Sequence, residues 1–250
     1  MKISTLAILQ ARMSSTRLPG KVLLPINGTP MIYRQIERIR QAKSVDELIV
    51  ATSTDKSDDV LVAFLTEMGV KVFRGSLQDV FSRFLEITLE IEPTTVIRLT
   101  ADCPLVMPAL LDVMVESFAQ RKVDYLSNTL EPSFPDGLDI EIMKSSSIVK
   151  LSEYALTNFE REHVTVGIYS RREVFSCENF GNFEDMSNKR WTVDHAEDLA
   201  FVRQVFNEFK GGEATFTFKE VLQFLEENPT IYSEISPDRR NEQSGSASNE

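Results

Sequence analysis

The chain has 250 residues, of which 42% are hydrophobic and 26% are charged, as in an ordinary globular protein. These proportions exclude a collagenous chain, a disulfide scaffold and a largely disordered chain. The 38 Asp and Glu residues outnumber the 27 Lys and Arg residues, which gives a net charge of -11. A protein that coats nucleic acid is therefore excluded as well, because phosphate neutralisation requires a basic surface.

The first half of the chain alternates short apolar runs with segments of helical periodicity. Because the apolar runs carry almost no polar positions, they are typical of parallel strands covered by helices on both faces. The predicted fold class is α/β with a mostly parallel sheet, in which ligands bind at the carboxyl ends of the strands. Strands are predicted at residues 5–10, 47–52, 70–73 and 95–99, and helices at residues 31–41, 58–68 and 79–91.

After about residue 130 the alternation ends in a turn rich in proline and glycine. Two antiparallel strands at residues 164–170 and 191–193 are predicted to extend the same sheet, and two helices at 196–209 and 218–227 to close the fold. We therefore expect one domain over residues 1–235. The polar, Ser-rich residues 236–250 are predicted to be a disordered tail.

Cys103 and Cys177 are the two cysteines of the chain, too few for a disulfide framework and without metal-ligand spacing. We therefore expect inert thiols in a reducing, cytoplasmic compartment. The first residues lack a secretory signal pattern, and no apolar run approaches the roughly 18 residues of a membrane span. No membrane span is expected.

A basic loop follows the first predicted strand, with the sequence QARMSSTRLPGK at residues 10–21. Its small residues and its cations Arg12, Arg17 and Lys21 are suited to surrounding a polyphosphate with N–H groups and positive charge. The spacing matches neither a P-loop nor a dinucleotide-binding GxGxxG motif, so neither of those classes is supported. The alternative is a solvated basic loop without a ligand.

Two aspartates each follow a short apolar run and precede a helix. Asp102 lies in RLTADCPL, and Asp194 lies in RWTVDHAEDL. Carboxylate oxygens at the ends of strands are suited to Mg²⁺, which also binds substrate phosphates. The alternative is that each aspartate caps its following helix, a role that we assign to Asp198.

A third group of polar residues lies in the second half of the chain. Asp139 and Glu141 are two residues apart, so on a strand both would point to one face and could bind substrate hydroxyls or a metal. The alternative is a hairpin with an acidic exposed face. Arg161 and His163 precede the predicted strand at 164–170, and His163 is assigned either to an anionic acceptor or to a structural role.

Seven motifs in order along the chain resemble those of the spore coat polysaccharide biosynthesis protein F family. The motifs are QARMSSTRLPGK, VFRGSLQDVFSRF, IRLTADCPLV, DYLSN, FPDGLDIEI, EREHVT and RWTVDHAEDL. That family belongs to the cytidylyltransferases related to the enzymes that activate 3-deoxy-manno-octulosonate and N-acylneuraminate. The resemblance implies a three-layer α/β/α nucleotide-diphospho-sugar transferase fold and transfer of CMP from CTP to a small-molecule acceptor, an acidic sugar or a related compound, with release of pyrophosphate.

The resemblance also implies roles for particular residues. Mg²⁺ would be held by Asp102 and Asp194, and the acceptor by Asp139, Glu141, Arg161 and His163. A homodimer is compatible with it, since the related enzymes dimerise. The nucleotide would be bound by the residues Ala11, Arg12, Ser14, Ser15, Arg17, Lys21 and Arg98, with Lys21, Arg12 and Asp102 acting in catalysis.

Two other functions stay open on sequence alone. A glycosyltransferase of the same fold would use Asp and Mg²⁺ on a nucleotide sugar, but it has no need of a basic loop for a free triphosphate. A non-catalytic regulator would bind CTP without turnover, and the presence of both candidate metal acids disfavours it.

Overall fold

A computed structural model describes residues 3–234 of the chain. The predicted tail at 236–250 lies outside the described residues. The helices are α1 (Met31–Ile39), α2 (Asp59–Glu67), α3 (Val80–Ile91), α4 (Pro108–Arg121), α5 (Ser145–Leu151), α6 (Asn158–His163), α7 (Val166–Tyr169), α8 (Ala196–Glu208) and α9 (Phe218–Glu227). The strands are β1 (Thr5–Gln10), β2 (Pro25–Ile26), β3 (Thr29–Pro30), β4 (Glu47–Ser53), β5 (Lys71–Gly75), β6 (Thr95–Thr100), β7 (Tyr125–Ser127), β8 (Glu141–Lys144) and β9 (Cys177–Asn179).

Seven of the strands form one sheet in the order β5-β4-β1-β6-β8-β7-β9. The ladders β1–β4, β1–β6, β4–β5 and β7–β9 are parallel, and β8 runs antiparallel to both of its neighbours. The predicted α/β class with a mostly parallel sheet is confirmed. Because β1, β4 and β6 end at the same edge, the segments that follow them meet there.

Helices cover both faces of the sheet, as the apolar strands predict. Apolar side chains of α1, α2 and α4 pack on one face, and those of α3, α5 and α7 pack on the other. A third apolar cluster joins α8, α9 and the β2–β3 hairpin around Trp191, which is fully buried. The architecture is therefore the three-layer α/β/α sandwich that the resemblance implies.

The two antiparallel strands predicted after residue 130 are wrong. Residues 164–170 contain α7, preceded by Val164 at a φ of 52°, a backbone conformation that interrupts any strand. A capping box of Thr157 and Glu160 starts α6 just upstream and commits this segment to helix. The antiparallel strand of the sheet is β8.

Residues 191–193 join no sheet ladder. A single bridge pairs Asp136 with Arg190, and the N–H groups of Trp191 and Val193 donate to the carbonyls of Asp136 and Asp102. Residues 191–193 are therefore held by hydrogen bonds to Asp136 and Asp102, and not by a neighbouring strand. This position carries Asp194 to the edge of the sheet at which β6 ends.

Two further findings concern cysteines and membranes. Cys103 and Cys177 are both free, and burial raises the pKa of the Cys103 thiol well above its ordinary value. Cys103 is therefore protonated and unreactive at neutral pH, as expected. None of the helices within residues 3–234 combines the length and the apolar character needed to cross a bilayer.

Candidate active site

The loop that follows β1 is held in place by backbone hydrogen bonds. The Ala11 N–H donates to the Ala51 carbonyl over 3.1 Å, and the Gly20 N–H donates to the Met13 carbonyl over 3.1 Å. Gly20 has a φ of 69°, a left-handed conformation that suits glycine, and a 3₁₀ turn, Lys21–Leu23, begins directly after it. The predicted basic loop is therefore an ordered turn that fixes the direction of the Lys21 side chain.

A buried carboxylate that sequence reasoning missed, Asp58, fastens this loop to β4. Its Oδ1 accepts a hydrogen bond from the Met13 N–H over 2.7 Å, and its Oδ2 accepts from both the N–H and the hydroxyl of Ser53. The sequence indicates only that Asp58 lies at the start of a helix. Nothing in the pattern distinguishes an acid at a helix start from one that binds a loop 45 residues away.

The two predicted acids meet around one ammonium group. The Nζ atom of Lys21 lies 3.3 Å from Oδ2 of Asp102 and 3.0 Å from Oδ1 of Asp194, and it donates to the Val193 carbonyl over 2.7 Å. Asp102 follows β6, and Asp194 precedes α8. Residues that are 81 and 173 positions from Lys21 along the chain are thus brought to one point.

Asp194 is surrounded by cations. Besides Lys21, Arg17 donates to its Oδ1 over 2.6 Å, and Arg190 donates to its Oδ2 over 2.9 Å. Its backbone N–H donates to Asp198 over 2.8 Å, which fixes the direction of the carboxylate. A site rich in cations around two carboxylates can hold a polyphosphate and a divalent metal together.

Helix capping, the alternative for both aspartates, is wrong. The N-cap of α4 is Met107, and no side chain bonds to it there, whereas Asp102 accepts from Lys21. At α8 the carboxylate of Asp198 accepts from the His195 N–H over 2.8 Å, as predicted for a helix-start residue. Asp194 therefore does not cap α8, and its carboxylate accepts from Lys21 instead.

The charges of this cluster reinforce one another. Burial raises the pKa of Asp102, but the Lys21 ammonium and hydrogen bonds outweigh burial and lower it to about 2. For Lys21, burial lowers the pKa, but the charges of Asp102 and Asp194 outweigh burial and raise it. At neutral pH both acids are therefore ionised and Lys21 is protonated.

Two adjoining cavities open at this edge of the sheet. The first has a volume of about 440 Å³ and is lined by predicted nucleotide residues. The second has a volume of about 380 Å³. Arg98, Thr100 and His163 line both cavities, so these three residues form the boundary between them. The predicted residues that line the first cavity are Ala11, Arg12, Ser15, Arg17, Lys21, Arg98, Asp102, His163 and Asp194.

The boundary is built from a buried ion pair between two neighbouring strands. Arg98 on β6 lies directly opposite Glu141 on β8, and the guanidinium binds the Glu141 carboxylate. Arg98 also donates to Oε1 of Gln10 over 3.2 Å, on the side of the first cavity. The hydroxyls of Tyr125 and Thr165 donate to Oε1 of Glu141 over 2.6 and 2.5 Å. Arg98 is therefore held rigidly between the two cavities.

The predicted acceptor residues are only partly brought together. Asp139, Glu141 and His163 line the second cavity, although Asp139 lies two residues before the start of β8 and is not on a strand with Glu141. Arg161 instead donates to Asp79 over 2.6 Å, and the cavity walls formed by residues 3–231 do not include it.

Ser14 and Arg12, both predicted to bind the nucleotide, lie towards solvent. Ser14 is exposed and lines neither cavity within the described part of the chain. Arg12 lines the first cavity with 46% of its side chain exposed, and it lies 3.7 Å from Glu162. The loop thus presents Arg17 and Lys21 inward and Arg12 at the rim.

A parallel-sheet α/β/α fold with a basic loop after β1 and a lysine between two carboxylates defines a nucleotidyltransferase. The model of the cytidylyltransferase family matches residues 6–234 of this chain. The chain belongs to that family, and it is an enzyme of the nucleotidyltransferase class.

Three relatives illustrate the similarity. The spore coat polysaccharide biosynthesis protein SpsF of Bacillus subtilis strain 168 is 34% identical over 93% of this chain and 98% of its own length. An 8-amino-3,8-dideoxy-manno-octulosonate cytidylyltransferase of Shewanella amazonensis is 27% identical over 72% of this chain and 80% of its own. The solved structure of a cytidylyltransferase from Leptospira borgpetersenii serovar Hardjo-bovis strain JB197 is 31% identical, with a TM-score of 0.86 over 94% of this chain and 98% of that one. The predicted family resemblance is confirmed.

Proposed function

We propose that this enzyme transfers CMP from CTP to an acidic sugar or a related small-molecule acceptor, with Mg²⁺ and with release of pyrophosphate. The observation that carries the proposal is Lys21 between Asp102 and Asp194 in the wall of a cavity that adjoins a second, polar cavity. The printed names of the relatives support a place in the biosynthesis of surface polysaccharides or glycoconjugates.

The triphosphate of the nucleotide would lie against the basic loop. Lys21 provides buried and Arg17 partly buried positive charge, and Arg12 at the rim provides a third cation whose partner, Glu162, is also half exposed. The backbone of residues 11–15 and the Ser15 hydroxyl would add neutral donors, whereas Ser14, which lies outside the cavity, would contribute its backbone alone. These groups neutralise charge on the triphosphate and on the departing pyrophosphate.

Asp102 and Asp194 fit a magnesium site. They are two ionised carboxylates brought to one point, and Mg²⁺ in phosphoryl-transfer sites is bound by one or two carboxylates together with phosphate oxygens and water. Within residues 3–231 no third His, Cys, Asp or Glu joins them, so the remaining ligands would come from the substrate and solvent. Bound there, Mg²⁺ supplies Lewis-acid neutralisation of phosphate charge.

The acceptor would occupy the second cavity. Asp139 and Glu141 would accept hydrogen bonds from its hydroxyl groups, and His163 at the boundary would lie nearest to the nucleotide. Arg98 touches both cavities and would align the two substrates, while Arg161 would act indirectly by holding Asp79 at the start of α3.

Catalysis in this arrangement consists of alignment and charge neutralisation. The acceptor oxygen would attack the α-phosphorus in line with the departing pyrophosphate, so no covalent enzyme intermediate is needed. The rigid Arg98–Glu141 pair keeps the acceptor side fixed, and the Lys21 cluster keeps the nucleotide side fixed.

A ligand-binding measurement followed by a product measurement tests the proposal. Thermal unfolding is recorded with CTP, UTP, ATP or GTP, each with Mg²⁺ or EDTA. A nucleotide at about 100 times its Kd adds roughly 2.7 kcal/mol, and about 2–4 °C per kcal/mol makes that visible. We expect a Mg²⁺-dependent shift with CTP, and then pyrophosphate release when sugar acids are added. Release of a nucleoside diphosphate from a nucleotide sugar, without pyrophosphate from CTP, would instead identify a glycosyltransferase.

A further inference from the structure

One buried arginine in the wall of the first cavity has no assigned role. Arg83 is carried by α3 on the face of the sheet opposite to α1, and 1% of it is exposed. It lines the same cavity as Lys21 and Asp194. Arg83 belongs neither to the basic loop nor to the cluster of Lys21, Asp102 and Asp194.

The guanidinium of Arg83 has few partners for a buried charge. Within the described part of the chain, the one hydrogen bond that it donates goes to the Ala51 carbonyl over 3.3 Å, and its buried Nε makes none. The two acids whose charges act on Arg83 are engaged elsewhere, since Asp58 accepts from the basic loop and Asp79 binds Arg161. Burial lowers the pKa of Arg83 to about 10, although the charges of Asp58 and Asp79 raise it.

Two other buried arginines of this fold are satisfied, whereas Arg98, which binds Glu141 and Gln10, also has a buried Nε that makes no hydrogen bond within the described residues. Arg190 binds the carboxylates of Asp136, Asp194 and Asp198. Arg38 donates to three backbone carbonyls. A buried donor group that stays unsatisfied in the protein and faces a ligand cavity is suited to bonding the ligand.

The side chain of Arg83 packs closely against the backbone of Gly75. A Cβ atom at Gly75, the last residue of β5, would lie 2.6 Å from Cγ of Arg83. Glycine at that position therefore leaves room for the arginine stem to lie against β5. The guanidinium is thereby held at the Ala51 carbonyl, beside the end of β4.

We propose that Arg83 reads the base of the nucleotide by donating to O2 and N3 of cytosine, an inference that rests on the proposed use of CTP. The triphosphate belongs with Arg17, Lys21 and the two carboxylates, which leaves the α3 side of the cavity for the base. A guanidinium is a donor-only fork, and O2 and N3 of cytosine are adjacent acceptors. Uracil presents an N3–H donor at the same place, so Arg83 rejects it.

The test compares nucleotides that differ only in the base edge. Binding of four triphosphates to the wild-type chain is measured by calorimetry with Mg²⁺: CTP, UTP, the triphosphate of pyrimidin-2-one riboside, and 3-deazacytidine triphosphate. Pyrimidin-2-one keeps O2 and N3 but lacks the 4-amino group, and we expect it to bind nearly as well as CTP. UTP and 3-deazacytidine triphosphate lack the N3 acceptor and bind about tenfold or more weakly.

The arginine itself is tested by Arg83→Met. CTP affinity falls about tenfold or more while UTP affinity changes little, so that the ratio of the two approaches one. Gly75→Ala keeps Arg83 but crowds its stem, and it lowers the same ratio. The matched control is Arg121→Met. Arg121 is an exposed arginine at the C-terminal end of α4 that pairs with Glu178, and its replacement keeps the wild-type ratio.

The outcomes separate this inference from the proposed function. A wild-type chain that binds no CTP overturns the proposed function itself. Two other results overturn base reading by Arg83 alone: wild-type binding of 3-deazacytidine triphosphate as tight as that of CTP, or an unchanged CTP to UTP ratio in folded Arg83→Met, whether both affinities are retained or both fall equally. Equal weakening would assign Arg83 to the ribose or a phosphate. If Arg83→Met does not fold, Gly75→Ala decides: a lowered CTP to UTP ratio supports base reading by Arg83, and the wild-type ratio overturns it.

Discussion

Lys21 and Asp194 lie 173 residues apart in the chain, yet the Lys21 ammonium is 3.0 Å from Oδ1 of Asp194. The other two donors of that ammonium are directed to the Val193 carbonyl and to Asp102. An ammonium group has three N–H donors, so every donor of Lys21 is engaged within the protein. Lys21 therefore joins the basic loop, the end of β6 and the start of α8 into one charged cluster.

Replacing Lys21 with Met is expected to affect both turnover and stability. Loss of one charge-stabilising donor commonly reduces turnover by about 10² to 10³. Because Asp102 and Asp194 would lose their shared cation, the free energy of unfolding is expected to fall by about 3 kcal/mol. Urea denaturation and pyrophosphate release measure the two effects.

Adding Asp102→Asn to Lys21→Met should restore part of the lost stability but none of the turnover, because it removes the carboxylate left without a cation, whereas Asp194 keeps Arg17 and Arg190. Lys71→Met, at an exposed lysine paired with Glu47, is the control and should change stability by less than about 0.5 kcal/mol. If Lys21→Met were as stable as wild type, the ammonium would not be the link between the three segments.

Metal affinity is expected to depend on the nucleotide. Lys21 and Arg17 already neutralise the proposed metal carboxylates, so a divalent ion that binds there without nucleotide gains little binding free energy. Triphosphate oxygens would bind these cations themselves and leave the carboxylates to the metal. Electron paramagnetic resonance of Mn²⁺ should therefore detect tight binding to wild type with CTP and weak binding without it. In Lys21→Met, Mn²⁺ should bind more tightly than to wild type in the absence of nucleotide. Equal affinity with and without CTP in wild type would contradict this coupling.

Much of the sheet and its catalytic edge could be predicted from sequence because both depend on local patterns. Apolar strands between helical periods indicate parallel pairing, and parallel strands end on one edge. Asp102, which follows β6, is therefore expected to lie near the loop that follows β1. The meeting of Lys21 with Asp102 follows from this topology, whereas the contact with Asp194 depends on a long return of the chain.

The features that sequence could not predict depend on tertiary contacts. Residues 164–170 alternate as a strand would, but the capping box at Thr157 and the packing of Ile168 select a short helix. Asp58 and Arg83 look like ordinary residues of amphipathic helical segments. Their functions come from the loop that Asp58 binds and the cavity that Arg83 lines.

Arg38 is expected to be a stabilising residue of the fold. Its guanidinium donates to the carbonyls of Val106, Glu213 and Phe216 over 2.8 to 2.9 Å and lies 3.6 Å from the centre of the Phe216 ring. Arg38→Met would leave buried carbonyl groups without donors and should lower the free energy of unfolding by about 3 kcal/mol.

Arg38→Lys should be nearly as destabilising, because an ammonium cannot reproduce the planar fork that reaches all three carbonyls. Arg40→Met, at the exposed residue that follows α1, should change stability by less than about 0.5 kcal/mol. Urea denaturation of the three variants checks this. Equal stabilities of Arg38→Met and Arg40→Met would show that the buried bonds contribute nothing net.

Gly137 is expected to tolerate no side chain. Its φ is 104°, and a Cβ there would lie 2.4 Å from the Thr192 backbone nitrogen, in the segment that carries Asp194. Gly137→Ala should therefore destabilise by more than about 3 kcal/mol and weaken the thermal shift given by CTP. Gly211→Ala is the matched control, since Gly211 has a φ of 92° but no atom within 4 Å of the added Cβ. Gly211→Ala should lower the free energy of unfolding only by the cost of placing alanine at a positive φ, about 1–2 kcal/mol. Equal losses in the two variants would exclude the steric contact as the cause.

His163 is expected to make stability depend on pH just below neutrality. Burial lowers the pKa of His163, which lies at the boundary of the two cavities with its ring 4.3 Å from that of Phe159. The unfolded chain therefore takes up this proton at about pH 6.5, before the folded chain does. As pH falls through 6.5 towards the lower folded value, the unfolded state binds more protons and the free energy of unfolding decreases. His163→Gln has no such proton, so its stability should decline less than that of wild type over this window. Urea denaturation at several pH values from 7.5 downwards measures both slopes, and parallel slopes would mean that His163 titrates alike in the folded and unfolded chains.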